Sequence, residues 1–87
     1  MLGAASIAMA EARALADGHD DLRALWRKQD SHMDYLAWRR ERAEQVAQAL
    51  RNGERTNALL SDTIRELEQN GYPRLQIRDG LRLWIAS

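Results

Sequence analysis

The chain has no cysteine and no phenylalanine, one proline, and one lysine among its thirteen cations. Without cysteine there is no disulfide, no thiolate zinc site and no thiol nucleophile. Glycine is scarce too. Gly3, Gly18, Gly53, Gly71 and Gly80 are scattered, and none falls into GxGxxG or GxxxxGK, so a nucleotide cofactor is not implied. No run approaches the roughly eighteen apolar residues of a membrane span. Thirteen acidic groups balance the thirteen basic ones, so no overall field draws the chain to an anionic surface. The opening "MLGAASIAMAEARALA" lacks a basic leader and carries Glu11 and Arg13 where an apolar core would continue. Export is therefore not expected, and the expected setting is cytoplasmic.

What is present is a globular composition, 45% hydrophobic and 30% charged over 87 residues. A single domain of this size buries only about 60 to 65% of its unfolded surface, which favours a homodimer. Charge is blocked mildly. Residues 56–73 carry one basic and three acidic groups, and residues 74–87 carry three and one.

Apolar spacing predicts a mainly α fold. Residues 2–16 read as an Ala-rich helix with Ala5, Ala8, Met9, Ala12 and Leu15 on one stripe. Gly18 suits the left-handed position after it, and Asp20 and Asp21 suit the start of the next helix. Neither Gly nor Pro occurs between residues 20 and 50. That span reads as one long central helix of a helical hairpin, with a seam at Leu22, Trp26, Gln29, Met33, Leu36, Arg40, Ala43, Ala47 and Leu50. Asn52 and Gly53 read as its end, and Thr56 or Asn57 as the cap of a third helix reaching about Gln69, with Leu60, Ile64 and Leu67 buried. Gly71 and Pro73 close that helix.

The remaining segment, about 73–86, reads as a β-hairpin. A two-residue Asp79-Gly80 loop would mix polar and apolar side chains on each face. A three-residue loop, Arg78-Asp79-Gly80, pairs Ile77 with Leu81 and Leu75 with Leu83 inward, and Gln76 with Arg82 and Arg74 with Trp84 outward. The competing reading is a short helix capped at Asp79, with Leu81, Trp84 and Ile85 on one side.

Reactive groups are few. His19 and His32 are the only histidines, and Ser31, His32 and Asp34 stand too close in sequence to share a helix face and pass a proton in line. Asp17, His19, Asp20 and Asp21 gather oxygen and nitrogen without zinc spacing or an EF-hand pattern, and read as a helix-capping turn. Neither an enzyme nor a metal protein is expected.

"LLSDTIRELEQNGY" followed by "RLQIRDGLRLWI" resembles the end of a winged helix-turn-helix domain, a recognition-like helix and then a basic wing. The resemblance implies that Thr56, Asn57, Ser61, Asp62 and Arg65 face the major groove, and that Arg74, Arg78 and Arg82 touch phosphates. The recognition-like helix carries Asp62, Glu66 and Glu68 against Arg65, a sign that repels phosphates.

The five aromatics, Trp26, Tyr35, Trp38, Tyr72 and Trp84, are all amphipathic rings suited to interfaces. Trp26 belongs to the seam, whereas Trp38 neighbours Arg39 and Arg40, and Trp84 lies on the outer face of the hairpin. The leading expectation is therefore a non-enzymatic protein-binding module, an adaptor, inhibitor or chaperone. Tyr35, Trp38 and Trp84 would be its anchors, with Arg39, Arg40 and Arg42 as rim charges. The alternative is a winged-helix DNA-binding regulator using Arg74, Arg78 and Arg82.

Overall fold

A computed structural model describes residue 9, residues 18–29 and residues 32–87. Among these, four helical segments occur: residues 18–28 (α1), Tyr35–Arg55 (α2), Leu60–Gln69 (α3) and Arg74–Ala86 (α4). The mainly α expectation holds. Of the expected Ala-rich helix over 2–16, all but Met9 lies outside the described residues.

The expected single helix over 20–50 is two helices. Asp34, in extended backbone, accepts a hydrogen bond from the Ala37 amide at 2.8 Å and so starts α2 afresh. Across the break the Trp26 indole donates to the Met33 carbonyl at 3.0 Å and the Trp38 indole to Gln29 Oε1 at 3.0 Å. The expected seam holds at Ala43, Ala47 and Leu50, which are buried, and beside it Trp38 and Val46 are 4% and 0% exposed, but Leu36, near the start of α2, is 72% exposed.

Helices α2 and α3 end by the same device. Asn57 (φ 62°) and Gly71 (φ 90°) take left-handed backbone. The Ala58 amide donates to Gly53 O at 2.8 Å and the Tyr72 amide to Leu67 O at 3.1 Å, which satisfies carbonyls of the last turn. Gly71 thus does what its sequence context predicts. Asn52, Gly53 and Thr56 do not: the first two lie inside α2, and the Thr56 hydroxyl donates back to Asn52 O and Gly53 O. Gly18 is helical as well. α3 starts after an extended Leu59 without a side-chain cap, and its Leu60 is 47% exposed.

The expected β-hairpin at 73–86 is absent. Pro73 is extended and its carbonyl accepts from the Gln76 and Ile77 amides, and the helix then runs unbroken through Asp79-Gly80. The glycine serves a helix crossing rather than a loop. A β-carbon there would lie 2.5 Å from Val46 Cβ and 3.0 Å from Ala43 O, so only glycine lets α4 approach α2 this closely. The helix capped at Asp79 is corrected too: it begins five residues earlier, at Arg74, and Ile85 is 75% exposed.

The core has two parts strung along α2 and α4. Val46, Leu50, Leu67 and Ile77 form one, covered by Ile64, Tyr72, Leu81 and Trp84. Leu22, Trp38 and Leu75 form the other, with Leu25, Trp26 and Tyr35 packed against it. No described helix is long and apolar enough to cross a membrane.

Candidate functional site

Helix α4 is locked onto α2 by two arginines. Arg39 Nε donates to Asp79 Oδ2 at 2.7 Å and Nη2 to Oδ1 at 3.1 Å, while Nη1 lies 3.3 Å from His19 Nδ1. One guanidinium thus joins α1, α2 and α4. The two side chains are 20% and 19% exposed, and the two-pronged geometry suits the planar fork. The bond to Asp79 raises the Arg39 pKa above the ordinary arginine value, against a desolvation that pulls the other way.

Arg42 takes the next position along the seam. Its Nε donates to Gln76 Oε1 at 2.9 Å, and its guanidinium carbon lies 5.4 Å from the Trp38 ring centre and 4.6 Å from that of Tyr72. Tyr72 donates its hydroxyl to Gln45 Oε1 at 2.7 Å. Gln76 is fully buried, a polar side chain in the core that the hairpin reading puts on the outer face.

The rings expected as anchors are engaged inside the molecule. Trp38 is buried and bonded to Gln29. Tyr35 is half-buried, 5.7 Å edge-on to Trp26, with Arg23 over its face at 5.4 Å. Trp84 is half-buried and donates to Glu54 Oε2 at 3.0 Å. Of the expected rim charges, Arg39 and Arg42 are bonded as described, and Arg40 stays exposed.

The free chemistry is on the outer side of α4. Arg74, Arg78 and Arg82 are all exposed, and none has an ion-pair partner among the described residues. At steps of four they fall on one stripe of the helix, opposite Gln76, Gly80 and Leu83, which face α2. In the hairpin reading they form no stripe, because Arg78 falls in the loop while Arg74 and Arg82 share the outer face with Gln76 and Trp84. The residues expected in the major groove lie elsewhere: Ser61, Asp62 and Arg65 are exposed on α3, with Arg65 and Asp62 3.9 Å apart, and Thr56 and Asn57 form the turn before it.

Between α2 and α4 runs an open groove lined by Leu36, Arg40 and Ala43 on one side and Arg82 and Leu83 on the other, with the Arg39–Asp79 pair across it. Among the described residues, no group of three or more His, Asp or Glu side chains is placed to hold a metal ion. Comparison of the chain with protein-family models, with curated proteins and with solved structures finds no match.

Proposed function

We propose that the chain binds double-stranded DNA, with α3, the turn at 70–73 and α4 acting as a helix-turn-helix whose second helix enters the major groove. The observation that carries this reading is the unpaired, exposed stripe of Arg74, Arg78 and Arg82. It lies on the helix that follows a four-residue turn containing Gly71 in left-handed backbone. DNA-binding helix-turn-helix motifs also join their helices by a three- to four-residue turn that often contains glycine, and there the second helix reads DNA.

The dimensions agree. Eight residues of helix rise about 12 Å, close to the width of the B-DNA major groove. Arg74 and Arg78, in the first half of α4, have the reach and the planar donors to bond guanine O6 and N7, and Arg82, one turn further, suits a phosphate. The inner face of α4 is fixed to α2 by Arg39, Arg42 and Gly80, so the stripe is presented by a rigid element.

This reading differs from the sequence resemblance in which helix does the work. With α4 as the entering helix, Asp62, Glu66 and Glu68 of α3 no longer stand in the groove, and the sign conflict is confined to the flank. Selection from a pool of random duplexes at low salt tests it. Enrichment of a guanine-containing site of a few base pairs is expected. A pool that stays random, retained equally by an Arg74→Ala, Arg78→Ala variant, contradicts it.

A protein-binding role keeps one support, the groove between α2 and α4.

A further inference from the structure

We infer that the groove between α2 and α4 is a docking site for an acidic amphipathic helix from a partner protein. Its floor is apolar, made by Leu36, Ala43 and Leu83, and Leu36 is 72% exposed although it is a leucine near the start of a well-packed helix. Its edges are cationic. The one acid lining the groove, Asp79, is spent on Arg39 through two bonds of 2.7 and 3.1 Å. Arg40 and Arg82 are exposed and have no ion-pair partner among the described residues.

An occupant must therefore offer apolar side chains to the floor and carboxylates to both edges. A helix with apolar residues at i, i+3, i+4 and i+7, flanked by Glu or Asp, does both at once. A nucleic acid satisfies the edges but leaves Leu36 and Leu83 against its charged backbone. The inference shares only Arg82 with the DNA reading, because Leu36 and Arg40 lie on α2, outside the helix-turn-helix.

The test uses a fluorescein-labelled synthetic helix of about fourteen residues with a leucine stripe flanked by glutamates, and a second peptide with lysine in place of each glutamate. Fluorescence anisotropy on the whole chain is expected to show binding of the acidic peptide in the range of about 10 to 100 μM. Leu36→Glu and Arg40→Glu are each expected to weaken it about tenfold, and the lysine peptide is expected not to bind the wild type. Leu36 is the second residue of α2, where a glutamate is favourable to the helix, so the fold should survive, which circular dichroism checks. Arg74→Ala, outside the groove, should leave peptide binding unchanged, so that failure of this site and failure of the DNA reading are told apart. No binding of the acidic peptide, or equal binding by Leu36→Glu, overturns the proposal. Self-association of the chain that Leu36→Glu abolishes also overturns it, by assigning the groove to a second copy.

Discussion

Gly80 of α4 lies against Val46 of α2 so closely that a β-carbon on the glycine would stand 2.5 Å from Val46 Cβ and 3.0 Å from the Ala43 carbonyl oxygen. Neither neighbour can yield easily, since one is a stiff β-branched side chain on a helix and the other is backbone. Gly80→Ala is therefore expected to lower stability by about 1 to 3 kcal/mol, the usual cost of overpacking, despite the better helix propensity of alanine. Thermal unfolding measures it. A Val46→Ala background removes Val46 Cγ1, the nearest atom to the new β-carbon, but keeps Cβ, so it should reduce the cost of Gly80→Ala only in part, and additive effects would mean that the two helices do not cross at this point.

The same crossing explains what the sequence concealed. Leu75, Ile77, Leu81 and Leu83 alternate as a hairpin would and Asp79-Gly80 looks like its loop, yet Gly80 answers to Val46 and Asp79 to Arg39, partners far away in the chain. Local pattern carries no trace of such pairings. Gly71 was legible because a left-handed glycine two residues before a proline is a purely local device. The break near Asp34 was hidden by the absence of Gly or Pro, its only local sign being an N-cap aspartate. Missing that break let the seam run on through Leu36, which lies uncovered near the new helix start, although the seam holds at Ala43, Ala47 and Leu50. The arginines of the candidate site were visible as residues but not as a stripe, because the stripe exists only at helical spacing.

The phase of α2 gives a second prediction. Leu36→Ala should change stability by less than about 0.5 kcal/mol, as at an exposed site. Leu50→Ala, at a position 2% exposed, should cost about 2 to 5 kcal/mol. Equal costs in denaturant titrations would count against the observed phase.

Arg39 makes three side-chain contacts with Asp79 and His19. Arg39→Lys keeps the charge but loses the fork, and should lower stability by about 1 to 2 kcal/mol. The folded-state pKa of Arg39 is raised above its ordinary value. Its stabilisation is then complete below the ordinary arginine range and is lost only as pH rises through the raised value. The gap between wild type and Arg39→Lys should accordingly stay flat from about pH 6 to about pH 9. A gap that closes on the alkaline side of this window would show that another group carries the effect.

Asn57, at φ 62°, should tolerate glycine and resist valine. Asn57→Val is expected to cost about 1 to 2 kcal/mol, with Asn57→Gly near neutral or stabilising. A valine variant as stable as wild type would show that the α2 end does not need left-handed backbone.

The central claim is that α4 contacts DNA through three arginines, and salt dependence tests it most directly. Anisotropy of a labelled duplex carrying the selected site should give a log K that falls against log salt with a slope of about −1, as expected for the one phosphate that Arg82 neutralises. The Arg74→Ala, Arg78→Ala, Arg82→Ala chain, folded by circular dichroism, should show no measurable binding. Wild-type binding absent even at low salt, or a triple variant with the same affinity and slope as wild type, would contradict the account.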